Sequence, residues 1–151
     1  MASVFAGALS AATLIAQTVP AAPPQQATFT KSPYMFSGDA ALSLNVIKAD
    51  KTADFEMIVG KLRAALQKSA KPERAQQAAS WKFYKAAESG PNGSAIYVFL
   101  VDPVVKGSDY NVSTILSEGF PQDVQPLYRT FADTYVSQSI LNLSLVSDLG
   151  K

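Results

Sequence analysis

The chain of 151 residues contains no cysteine and no histidine. Without cysteine there are no disulfides, no thiolate nucleophile, no zinc–thiolate site and no iron–sulfur cluster. Without histidine there is no Ser-His-Asp machinery, no imidazole metal ligand and no side chain whose ordinary pKa lies near neutrality. Charge is also scarce and balanced: 13 Lys+Arg stand against 12 Asp+Glu, a net +1. That balance gives no basic surface of the kind that binds nucleic acid or an anionic membrane. The sequence carries no G-x-G-x-x-G, no P-loop and no G-x-S-x-G. No metal or organic cofactor is expected.

The scarcity of charge is concentrated at one end. No charged residue precedes Lys31. From Val4 to Ala16 the chain is apolar and rich in small residues, shorter than the roughly 20 residues a bilayer-spanning helix needs but matching the h-region of a secretory signal. Val19-Pro20-Ala21 fits a small-residue cleavage site. The expected organisation is therefore a signal peptide over 1–21, an extended linker over 22–37 with Pro23, Pro24 and Pro33, and one domain over 38–151. A secreted or periplasmic location follows from that reading, with no membrane association after signal removal.

Within the domain the hydrophobic period switches back and forth. ALSLNVIK (41–48) alternates as a strand, with Leu42, Leu44 and Val46 on one side and Ser43, Asn45 and Ile47 on the other. Phe55, Ile58, Val59, Leu62 and Leu66 then recur at helical spacing. Pro72 suits the first position of a further short helical turn. Segments 80–88 and 94–102 flank Asn92-Gly93 and read as a hairpin, its second strand apolar on both sides. VSTILSEGF is a short helix that Asp109 or Asn111 can cap. Asp123 caps another, with Leu127, Tyr128, Phe131 and Tyr135 on its apolar stripe. SILNLSLV (139–146) is the last strand. The acidic residues Asp102, Asp109, Glu118 and Asp123 match no calcium-loop spacing and read as caps and loop charges.

The order β-α-β-β-α-β predicts an α+β domain of the ferredoxin-like type, with helices on one face of an antiparallel sheet. Helices on one face leave the other bare, and the sequence is too apolar for that. The uncovered side is expected to carry Ile47, Tyr97, Phe99, Val101, Trp81 or Tyr84, Ile140 and Val146, mixed with Ser43, Asn45, Asn142 and Ser144. A patch of that kind calls for a cover. Either a second copy supplies it or the arm with Tyr34, Met35 and Phe36 folds over it.

In element order and two-faced strands, residues 40–146 resemble the dimeric α+β barrel superfamily, whose ferredoxin-like subunits pair their sheets. Through QQAASWKFYKA and FLVDPVVKGSDY the chain is also similar to small secreted bacterial proteins of no assigned function. The resemblance implies a homodimer. It does not choose among activities, since superfamily members include cofactor-free monooxygenases, isomerases and plain binding modules; haem members that ligate iron through histidine do not apply to a chain that has none. The favoured expectation is a non-catalytic domain that dimerises through its sheet and takes a small apolar or aromatic ligand at Asn45, Trp81, Tyr97, Phe99 and Asn142. The alternatives are a cofactor-independent oxygenase or isomerase with the same aromatic and amide-lined cavity, and an accessory or structural interaction protein. Mass spectrometry of the exported protein is expected to give an N-terminus at Ala22, and a retained Met1 would contradict the signal-peptide reading.

Overall fold

The computed structural model describes residues 32–150, so the expected signal peptide and most of the expected linker lie outside the described residues. The elements are β1 (Ala40–Ile47), α1 (Thr52–Lys68), α2 (Pro72–Ser80), β2 (Trp81–Ser89), β3 (Ala95–Val101), α3 (Val112–Gly119), α4 (Val124–Thr134) and β4 (Tyr135–Leu143). The four strands form one antiparallel sheet in the order β2-β3-β1-β4. This is an α+β fold compatible with a ferredoxin-like arrangement. The doubly apolar strand β3 lies in the interior of the sheet beside β1. Among the described residues no helix is long and apolar enough to cross a membrane.

Several boundaries differ from the sequence reading. The turn expected near Pro72 is a full helix of 9 residues with proline in its first turn. Strand β4 begins at Tyr135 and ends at Leu143, earlier than expected, so Tyr135 belongs to the sheet and not to α4. The change of period is enforced at Thr134, whose carbonyl accepts from Lys48 N–H (2.9 Å) and starts the pairing with β1. Ser144 and Val146 fall beyond the strand, and Val146 is fully in solvent. Asn111 caps α3, accepting from Ser113 N–H and Thr114 N–H. Asp123 precedes α4 but makes no side-chain cap. At the hairpin, Asn92 and Gly93 both take positive φ (56° and 73°), as an Asn-Gly turn requires.

The largest correction concerns which face the helices cover. Ile47, Tyr97 and Phe99 are buried in one cluster with Phe55, Ile58, Leu62 and Leu66 of α1, Ile115 and Leu116 of α3 and Leu127 of α4. Val101, Ala41, Tyr110 and Phe36 form an adjoining cluster against which Trp81 and Ile140 pack. The side expected to be bare is thus the side facing the helices. Covering an aromatic ring removes 150–250 Å² from water, more than covering a leucine or valine. Phe83, Tyr97 and Phe99 therefore win the covered side over Leu42, Leu44 and Val46. Phe55 is the hub: its ring lies 5.0–6.2 Å from those of Phe83, Tyr97, Phe99, Phe131 and Tyr135.

The arm also lies on the helix-bearing side. Phe36 is buried 5.2 Å from the Tyr110 ring, and Tyr34 accepts a backbone bond from Tyr110 N–H (3.0 Å). These residues close the end of the sheet that α1 does not reach. The opposite face carries Leu42, Leu44 and Val46 of β1, their register partners Leu100, Val98 and Ile96 of β3, Tyr84 of β2, and Leu141 and Leu143 of β4. None belongs to either buried cluster.

The helical layer is locked by one buried cation. Arg74 donates through Nε and Nη2 to the two oxygens of Glu118 (3.0 and 2.9 Å) and through Nη1 to Gln77 Oε1 and the Asp109 carbonyl (2.7 and 2.6 Å). This ties α2 to α3 and to the loop before it, a bidentate geometry only arginine provides. The guanidinium lowers the Glu118 pKa from 4.5 to about 2. A depressed carboxylate pKa contributes stability above the unfolded value and loses it as pH falls through the folded one. The melting temperature is accordingly expected to drop between pH 4.5 and 2, and Glu118→Gln should melt lower at neutral pH with a flatter acid limb. Parallel pH profiles of the two proteins would contradict the clamp.

Candidate functional site

Edge strand β2 is only partly roofed. Helix α1 crosses above it, α2 ends beside it, and between them opens a groove of about 550 Å³. Its apolar lining includes Leu62 and Leu66 of α1, Ala78 of α2, Trp81 and Phe83 of β2 and Phe99 of β3, while Glu56 and Arg63 stand at its rim. The volume and the apolar walls with few polar groups are those of a small-molecule site. Gly60 of α1 lines the groove, and a Cβ built there meets nothing within 4 Å. Glycine inside a helix is less favourable than alanine by about 0.5–1 kcal/mol.

Trp81 forms part of the groove wall. Its ring stands edge-on to Phe99 and Tyr110 (5.5 and 5.3 Å), and its Nε1 is buried with no hydrogen-bond partner among the described residues. An indole N–H can only donate, and this one meets no acceptor among the described residues. Glu56 at the rim is already engaged. It accepts from Tyr97 Oη (2.5 Å) and Lys85 Nζ (3.0 Å), and these bonds lower its pKa, Tyr97 first.

Of the five residues expected to bind ligand, the structure brings Trp81 and Phe99 together in this groove. The other three are occupied elsewhere. Asn45 is fully buried and fully bonded: Oδ1 accepts from Ser43 Oγ (3.0 Å) and Gln138 Nε2 (2.9 Å), while Nδ2 donates to the carbonyls of Ser43 (2.9 Å) and Tyr97 (3.3 Å). Tyr34 Oη donates to Gln138 Oε1 (3.0 Å), extending this network to the arm. That bonding is what allows Ser43 and Asn45 to sit among the helices. Tyr97 is fully buried, with its hydroxyl spent on Glu56. Asn142, paired opposite Ala41 near the end of β4, accepts from Ser37 N–H (3.1 Å).

Comparison of the chain with family models, curated proteins and solved structures returned no match in any of the three. The site is therefore read from its own chemistry. Among the described residues no three acidic groups are arranged to hold a metal ion. The groove offers apolar walls with the charged Glu56 and Arg63 beside them, a surface suited to a small apolar molecule. Sequence reasoning pointed to the groove only through the residue types of Trp81 and Phe99; Gly60, Arg63 and the partner-free indole nitrogen gave no signal.

Gly60→Ala should raise the melting temperature without closing the groove. Gly60→Phe should fill it and abolish binding of a neutral aromatic probe such as 1-naphthol, followed through the emission of Trp81, the single tryptophan. Unchanged binding in Gly60→Phe would contradict this assignment of the site.

Proposed function

We propose that the protein is an exported, non-catalytic binding domain that pairs with a second copy through its helix-free sheet face and holds a small apolar or aromatic ligand in the groove over β2. The observation that carries the pairing is the composition of that face. Three consecutive cross-strand pairs, Leu42–Leu100, Leu44–Val98 and Val46–Ile96, run down its centre. Tyr84 (51% exposed) flanks them on one side and Leu141 (52%) on the other. Lys82 is the one charged residue on this face in the paired part of β2. The face is mostly apolar, with Lys82 toward the β2 edge and Ser137 and Ser139 toward the β4 edge, so two copies related by a two-fold axis can meet across its apolar centre.

The size suits a modest homodimer. Four strands at about 4.8 Å spacing and about 25 Å length offer a footprint of about 500 Å² per copy, or about 1,000 Å² for the pair, at the lower edge of specific interfaces. Sheet pairing of this kind is the arrangement of the dimeric α+β barrels that the element order resembles. Export is supported by the charge-free apolar stretch at the N-terminus.

A charge on the helix-free face separates pairing from folding. Phe99 is unsuitable as a target, since it is a core residue and Phe99→Asp would unfold the domain. Leu44→Asp and Val98→Asp are expected to keep the circular dichroism of the parent protein while converting a dimer to a monomer in sedimentation velocity at micromolar concentration. A parent protein that sediments as a monomer at such concentrations would overturn the proposal, whether the face is then covered by another part of the chain or by a different partner.

A further inference from the structure

Among the described residues two buried side-chain polar atoms have no hydrogen-bond partner, Trp81 Nε1 and Tyr135 Oη. The first belongs to the groove over β2. The second lines a separate groove of about 370 Å³ at the opposite edge of the sheet, between the start of α3, helix α4 and β4. The two lie on either side of the central packing, so the second is not an extension of the first.

Its lining differs in kind. Tyr34, Asn111, Ser113, Tyr128, Tyr135 and Gln138 bring hydroxyls and amides, Phe131 adds a ring, and no charged side chain takes part. Most of the interior polar groups are committed. Tyr34 Oη is spent on Gln138, Gln138 Nε2 donates to Asn45 and Ser43, and Asn111 Oδ1 caps α3. Tyr135 is held by its position at the start of β4 and by the edge-on ring of Phe131 (5.0 Å, 88°). Its hydroxyl is the interior group left over. Burial raises its pKa, so it stays protonated and able to donate. Tyr128, half in solvent, presents a ring at the mouth.

We propose that this groove is a second binding site, which takes an uncharged ring bearing hydroxyl groups, with Tyr135 Oη hydrogen-bonded to one of those hydroxyls and the ring lying against Tyr128 and Phe131. A charged ligand would be desolvated with no counter-charge in the lining. A plain hydrocarbon would leave Tyr135 Oη without a partner and cover the Ser113 hydroxyl without giving it one, which disfavours it. A hydroxylated ring supplies apolar faces and hydrogen bonds together, whether it is a pyranose or a phenol.

The test is a titration of the isotope-labelled full chain, followed by amide chemical shifts, with glucose, cellobiose and phenol and with the charged counterparts glucuronate and benzoate. At least one neutral ring is expected to shift the amides of Ser113, Tyr128 and Tyr135, and the one that binds identifies the source of the chemistry. Tyr135→Phe should weaken that binding about five- to tenfold while melting at the same temperature as the parent or higher, because the hydroxyl it removes makes no internal bond. Absence of shifts with every neutral ring, equal binding of a charged counterpart, unchanged affinity in Tyr135→Phe, or a lowered melting temperature that marks the hydroxyl as structural would each overturn the proposal.

Discussion

A sheet with apolar side chains on both surfaces needs two covers, and the four helices of this chain supply one. Every other property of the molecule is arranged around that inequality. The rings of Phe83, Tyr97 and Phe99 take the covered surface because they lose the most by staying in water. They meet Phe55, which bridges α1 to three strands and to Phe131 of α4. The smaller Leu42, Leu44, Val46, Ile96, Val98 and Leu100 take the other surface, for which a second copy of the sheet is the proposed cover.

The same geometry explains the grooves. Four helices of 17, 9, 8 and 11 residues cannot roof a four-stranded sheet out to both edges. The covered face is sealed in the middle by the Phe55 cluster and by the Asn45–Gln138–Tyr34 network, and it opens beside β2 and beside β4. Each opening is lined by a residue with one buried donor that has no partner among the described residues. The proposed binding at the edges and the proposed pairing through the bare face would not compete, because the grooves and that face lie on opposite sides of the sheet.

Element order and the interior position of β3 were legible in the sequence, since period switches from 2 to 3.6 are strong signals and a strand apolar on both sides must lie inside a sheet. Facing was not legible. Alternation in β1 separates Leu42, Leu44 and Val46 from Ser43, Asn45 and Ile47, but which set meets the helices depends on ring volume contributed by β2 and β3 and on a polar network closed by Gln138. Tyr135 misled for a similar reason: its spacing from Phe131 is helical, and only the pairing of Lys48 with Thr134 ends α4 before it. Of the candidate site, Trp81 and Phe99 were found by residue type alone. Asn45 and Asn142 were not separable from ligand-binding amides, because their partners at Gln138 and at Ser37 are remote from them in sequence. Arg74, which locks the helical layer, carried no pattern at all.

The most direct measurement of the central claim is an isotope-filtered nuclear Overhauser experiment on a mixture of labelled and unlabelled protein, which reports only contacts between copies. Cross-peaks between methyl groups of Leu42, Leu44, Val98 and Leu100 of different copies, with none from Ile58 or Ile115, are the predicted result. Intermolecular contacts that arise from the helical side, or no intermolecular contacts at all, would contradict the account.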